Sequence, residues 1–361
     1  MSVKKSARCI LILIVPMLLA GCGGYSNPPS TPPGTAPSLA LVGNSVSNSI
    51  SSFEVDPQTG QLHVKETVPT GGTSSRVIVV DPSGRFAYIG NVVSNDISVF
   101  AIDANTGHLS MLGSPVPTGS RPVFIVVGPT GNVLYVVNQE ANNMTGFSIN
   151  PDTGALTPLT GTVPTDAAPV ELKFHPSGQF AYLVNFNSSD VTVYRVETTG
   201  ALGLLGATPA GLSPSSIGMH PSGKFAYVSS LASNQVTTFS IDQASGALTP
   251  VTPPAATGEG PTSITLDSQG RFAYVTNAIE GSVSVFAVDV TSGALTPRST
   301  VAAGTNPVAL TLNASARFAY VANLGSNNVT LFAVNATTGD LTPVGPPVSA
   351  GTGPAWLTLV K

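Results

Sequence analysis

The sequence predicts an all-β fold, a propeller of seven blades with four antiparallel strands each, on three observations: one phrase recurs, the recurrences are evenly spaced, and each end of the chain supplies what the other lacks. Residues 267–277 read DSQGRFAYVTN, 220–230 read HPSGKFAYVSS and 81–91 read DPSGRFAYIGN. The tyrosine of this phrase, or its equivalent, falls at Leu41, Tyr88, Tyr135, Tyr182, Tyr227, Tyr274 and Tyr320, in steps of 47, 47, 47, 45, 47 and 46 residues. Such a period marks one block of supersecondary structure stacked on its neighbours.

Each block carries four short β-type runs separated by turn clusters, as in 261–266, 272–276, 282–288 and 294–301. Four antiparallel strands in succession make a propeller blade. In the second run Phe272 and Tyr274 share one face and Ala273 takes the other, because side chains alternate along a strand. A bulky face meeting a small one predicts blade-to-blade packing rather than a ligand role. Asp81-Pro82-Ser83-Gly84 and its relatives at 175–178 and 220–223 join the first run to the second, Pro setting φ and Gly supplying φ > 0. Asp56 to Gly60 and Asp289 to Gly293 close the hairpin between the third and fourth runs. Their carboxylates are expected to bond turn amides, since no turn offers the ligand count that calcium requires.

The ends close the ring. Ser38 to Asn44 matches a second strand with no inner strand before it, and Pro354 to Val360 matches an inner strand with nothing after it. Setting 355–360 beside 39–44 completes the last blade and removes a sheet edge. The propeller then spans residues 39–361.

The N-terminal residues read differently. Lys4, Lys5 and Arg8 precede an apolar run from Cys9 to Ala20, interrupted by Pro16 and too short to span a bilayer. Leu19-Ala20-Gly21-Cys22 follows and looks like a bacterial lipobox, so residues 1–21 are expected to be a lipoprotein signal peptide and Cys22 a lipidated N-terminus. Residues 22–38, rich in Pro, Gly and Ser, read as a tether. The expected location is extracytoplasmic, with a membrane engaged through the lipid on Cys22 and the chain a monomer. Removing residues 1–21 takes both free-thiol chemistry at Cys9 and three positive charges, moving the formal charge from −4 to −7. With only 9% charged residues and no basic stripe, nucleic acid is excluded as a partner.

The phrases Phe272-Ala273-Tyr274-Val275-Thr276-Asn277 and Gly293-Ala294-Leu295-Thr296-Pro297 resemble those of the seven-bladed lactonase-like propellers, which include 6-phosphogluconolactonases and carboxy-muconate cycloisomerases. The Tyr-Val-Thr-Asn tetrapeptide also resembles the wider YVTN repeat. The resemblance covers essentially all of 39–361 and implies the fold and a carboxylic ester hydrolase. Its words are strand and turn words, so they speak to architecture more than to activity.

A propeller site is expected at the channel mouth, built from the loops leading into the inner strands and from the turns near Asn91, Asn138, Asn185 and Asn277. The ionisable residues there are Arg76, Arg121, Asp166, Glu171, Lys173 and Glu259. A lactonase needs a base to activate water and a cation or amide to hold the oxyanion, which assigns Glu171 as base and Arg76 or Arg121 as stabiliser. The competing reading pairs Glu171 with Lys173 two residues along the same strand face. Phe124 and Trp356 share the repeat position of Glu171 and are expected to wall the mouth, with Lys173, Glu259 and Asn306 as further binding residues. His175 and His220 take the turn position of Asp81 and Asp267, and His63 and His108 lie on outer hairpins. No metal site is expected, as HExxH and paired-His patterns are absent, and no pattern identifies a cofactor. An unphosphorylated sugar lactone or similar ester suits an extracytoplasmic location better than a phosphorylated intracellular one. Two other readings stand beside hydrolysis: a non-catalytic propeller binding a protein or glycan, and a structural part of an envelope complex.

Overall fold

The computed structural model describes residues 38–360; the signal, Cys22 and tether readings lie outside them. Among the described residues every element is a strand. Seven separate antiparallel sheets follow one another, six of them running from an inner strand outward in chain order. Blade one is made from both ends, with the order 62–69, 49–55, 38–44, 354–360. Blades two to seven follow with inner strands at 75–80, 122–127, 169–174, 214–219, 261–266 and 307–312.

The closure is as the ends predicted. Leu39 pairs with Val360 and Val42 with Leu357, an antiparallel register that gives blade one its inner strand. The outer strands of blades two and seven are each broken in two, at 109–111 with 116–117 and at 341–343 with 348–349. The second run extends one residue further than the sequence suggested, Phe272–Asn277, because the asparagine still pairs with Ser282 across the hairpin.

The recurring phrases fit together as the two halves of one joint. Each phrase tyrosine from blade two on is buried, and Tyr182, Tyr274 and Tyr320 donate to the carbonyls of Gly246, Gly339 and Gly60, at 3.0, 3.0 and 2.9 Å. Those glycines are the hairpin glycines of the following blade. The phenylalanine two residues before each tyrosine lies against the same glycine: a Cβ on Gly246 would stand 2.6 Å from the Phe180 ring. Gly246 also has φ +74°, so both space and backbone require glycine there. Burial drives the phenol pKa of each of these tyrosines upward, so the hydroxyl remains a donor at any physiological pH.

The turn histidines do more than hold a turn. His175 Nδ1 accepts from the Ser177 N–H, which leaves Nε2 to donate to the Gly223 carbonyl of blade five at 2.8 Å. His220 repeats the arrangement toward Gly270 of blade six at 3.1 Å. The turn aspartates behave as expected: Asp56 and Asp289 each accept two backbone N–H groups, which hold their carboxyls below the usual range.

Candidate functional site: the channel mouth

Seven inner strands ring the axis, and their third residues form its waist: Val77, Phe124, Glu171, Ser216, Ser263, Ala309 and Trp356. Trp356 and Phe124 come from blades one and three, yet their rings meet edge to face with centroids 5.5 Å apart. Lys173 Nζ lies 5.5 Å from the Phe124 centroid. Glu171, only 6% exposed, has both oxygens engaged: Oε1 accepts from Lys173 Nζ at 3.1 Å and Oε2 from the Ile217 N–H of blade five at 3.2 Å. Removing that carboxylate would leave a buried N–H without a partner, a cost of about 1–3 kcal/mol.

On the loop side of the waist opens a cavity of about 670 Å³. Arg76 and Arg121 stand on one wall, Ser215, Ser216, Thr262 and Ser263 across the ring, with Phe124, Glu171 and Trp356 reaching it from the waist. A smaller cavity of about 310 Å³ lies on the turn side, where Lys173 joins Thr265 and Thr311 while Glu171 and Trp356 serve both. The predicted set is thus divided: Arg76, Arg121, Phe124, Glu171 and Trp356 converge on the mouth, and Lys173 belongs to the opposite side.

The two arginines differ. Arg121 sits at φ +58° in the residue before its inner strand, where its N–H bonds Asn95 Oδ1 at 2.7 Å. Its guanidinium pairs with Glu140 at 3.3 Å, a carboxylate also held by Ser120 Oγ at 3.1 Å. Arg76 has no carboxylate partner among the described residues. Its side chain is open to channel water yet surrounded by protein, and this crowding, followed by the neighbouring Arg121 charge, lowers its pKa from the ordinary value. A cation so placed has donors to spare, and the oxygens of a ligand would accept from them.

The facing wall carries hydroxyls in place of charges. Ser215 Oγ donates to the Pro261 carbonyl at 2.7 Å and Thr262 Oγ1 to the Pro307 carbonyl at 3.1 Å. With their protons directed to backbone, these oxygens present lone pairs. Ser216 Oγ on the same wall instead accepts from the Ile264 N–H at 3.2 Å and keeps its own proton to donate, so the arginines face a wall of mixed acceptors and donors.

Four further expectations are placed by the structure. Asn306 lines a neighbouring recess together with Arg76 and Arg121. Glu259 does not reach the mouth cavity: its recess, shared with Glu280 and Arg298, lies by the outer strand of blade six, because its loop bonds back on Glu280 Oε2 at 3.2 Å. Asn91, Asn138, Asn185 and Asn277 are fully buried, since each Nδ2 donates to residues five and seven positions on; Asn185, for example, bonds Asp190 and Thr192 at 2.7 Å each. They pin turns and do not line the mouth cavity. Asp166 takes a hydrogen bond from Thr192 Oγ1 at 3.1 Å beside Asp190, whose carboxyl is raised by burial and further by the Asp166 charge. Sequence reasoning missed Glu140, whose signal was available: Gln139-Glu140 follows the turn asparagine where the other copies carry uncharged residues.

The sequence profile of the seven-bladed β-propeller lactonases matches residues 38–127, 116–171, 161–309 and 252–357. The chain belongs to this lactonase family. Solved structures share the fold of this lactonase-family chain. One is a provisionally assigned 6-phosphogluconolactonase of Bacteroides fragilis, 22% identical, covering 93% of this chain and 100% of its own, with TM-score 0.81. Another is the periplasmic gluconolactonase of Pseudomonas aeruginosa, 21% identical over 90% and 99%, TM-score 0.78. The Kuenenia stuttgartiensis hydrazine synthase is 18% identical over 88% and 100%, TM-score 0.61. At these identities the likeness establishes architecture, and its range of chemistries leaves activity to the site. No curated protein sequence gives a significant match.

Proposed function

We propose that this lactonase-family propeller binds a small polyhydroxylated lactone in the mouth cavity and hydrolyses it, an unphosphorylated sugar lactone or similar ester being the substrate class. The observation that carries the reading is Arg76, an uncompensated cation on one wall of a cavity whose other wall presents hydroxyl lone pairs. A sugar lactone is complementary to both: its carbonyl and ring oxygens accept from guanidinium, and its hydroxyls donate to Ser215 and Thr262. In hydrolysis, water adds to the carbonyl carbon, the acyl C–O bond of the ring breaks, and the alkoxide leaving group takes up a proton. Arg76 holds the oxyanion that develops on the carbonyl oxygen. Arg121, oriented by Glu140, neutralises the carboxylate product. Glu171 takes the proton of the attacking water.

One observation favours binding without turnover. Both Glu171 oxygens already hold donors, so an attacking water would have to displace one of them to reach the carboxylate. In that second reading the same cavity receives a glycan or a partner's side chain.

Proton release from a panel of sugar and acyl lactones, by the chain from Gly34 onward, separates the two. Turnover that falls by about 100-fold in both Arg76→Ala and Glu171→Gln supports hydrolysis at this site. Absent turnover, with heat of binding for the corresponding sugar acid that Arg76→Ala abolishes, supports the binding module. Neither signal in the wild type overturns both readings.

The envelope location belongs to the same proposal. It is supported by the basic start, the short apolar run and the Leu19–Cys22 motif. Palmitate labelling of the expressed chain that persists in Cys22→Ser would overturn it.

A further inference from the structure

Seven outer strands form the exposed edges of seven sheets, and six of them are blunted. In blades three, five, six and seven the third residue of the outer strand is proline: Pro158, Pro250, Pro297 and Pro343. Each faces the same phenylalanine position on its third strand, so the four sites are equivalent. Proline has no N–H, and a position that accepts it in four blades directs its N–H away from the sheet. In blade one Val64 stands there, flanked by His63, Lys65 and Glu66. In blade two the outer strand is broken after Met111.

Blade four alone keeps a free edge. Its outer strand, Leu202–Pro209, reads LGLLGATP, with Leu204 opposite Tyr194 at the proline position. Leu204 and the bulged Leu205 are 66% and 46% exposed. The bulge residue is Lys65 in blade one and Arg298 in blade six, so the charge those edges carry is missing here too. An eight-residue uncharged strand with an outward N–H and two exposed leucines is a template for another strand. Beside it, between blades three and four, lies a groove of about 330 Å³ lined by Leu159, Leu202, Gly146 and Gly161.

We propose that this edge pairs antiparallel with the same edge of a second copy about a two-fold axis, making an eight-stranded sheet across a dimer and setting aside the expectation of a monomer. A copy is the fitting occupant because the strand is its own complement. In an isologous pair Leu204 and Leu205 meet leucines, and no like charges oppose across the junction, although each copy is acidic overall. The chain's own N-terminal segment enters at Ser38, in blade one, three blades away around the ring, and its proline-rich composition does not suit strand addition.

The test is disulfide trapping in the full chain, in membranes of expressing cells under mild oxidation. Leu205→Cys is expected to run at twice the monomer mass on non-reducing gels and to return to monomer on reduction. Lys65→Cys, at the same bulge of blade one, stays monomeric. Adding Leu204→Pro, the residue four sister edges already carry, removes the dimer while Trp356 fluorescence remains native. Should proline disturb folding, Leu204→Lys serves in its place. A monomeric Leu205→Cys chain, or a dimer that survives both second-site changes, overturns the proposal.

Discussion

The second strands and the inner strands of this propeller lie side by side, and they repeat to very different degrees. From blade two to blade seven the second strand keeps the same pattern: aromatic or apolar, small or apolar, tyrosine, with asparagine at the end in every blade but the fifth. The inner strands keep proline at the first residue in every blade but the second and Ile or Leu at the buried fourth, while the third ranges from valine through glutamate to tryptophan. The second strand faces another blade, so every copy meets the same hairpin glycine and is held to the same solution. The third residue of the inner strand faces the channel, where each copy meets different partners, as Glu171 meets the Ile217 N–H and Phe124 meets Trp356. Uniformity marks the joint, and departure from uniformity marks the site.

The largest effect that would break this comparison is at the ring closure. Deleting residues 354–361 removes the inner strand of blade one, with the fully buried Leu357 and the register from Leu39↔Val360 to Val42↔Leu357. Loss of more than about 5 kcal/mol is expected, comparable with the whole stability of a domain. Denaturant unfolding measures it. A truncated chain that unfolds at the wild-type midpoint would show that the blades do not form one cooperative ring.

A smaller effect tests the joint hydroxyls one at a time. Tyr182 donates to Gly246, so Tyr182→Phe should lose about 1 kcal/mol. The Tyr227 hydroxyl is buried without a partner, so Tyr227→Phe should be neutral or stabilising. Equal losses in the two variants would mean that the tyrosine ring, and not its hydroxyl, carries the joint. The smallest stability effect is expected in the channel: Arg76→Ala should leave the unfolding midpoint unchanged or slightly raised, because it removes a crowded cation with no carboxylate partner. Marked destabilisation would turn Arg76 from a site residue into a structural one.

The sequence disclosed the fold well because spacing and turn chemistry are local signals. The period fixed the blade count, Phe-Ala-Tyr fixed the packing face, and the mismatched ends fixed the closure. It disclosed the site less well, for a physical reason. Convergence on a channel depends on how far each side chain reaches from its strand, which period does not encode. Glu171 and Lys173 were legible as neighbours, but not the Ile217 N–H that completes the glutamate's partners from the next blade. The asparagines that marked the turns of the expected mouth are buried because they bond the hairpin they close. Glu140 was overlooked because the turn was judged by its repeating asparagine, when the informative residue was the one that does not repeat.

Residues that share a sheet at the closure stand at opposite ends of the chain: Leu39 waits for Val360. A ribosome therefore completes residues 38–353 before blade one has its inner strand, and until then the edge at residues 38–44 stays open. Low stability until the last strand emerges leaves the earlier blades without a closed ring to belong to. The same clasp that makes the finished ring one unit thus acts during synthesis as a clock, delaying the native state until Pro354–Val360 has emerged.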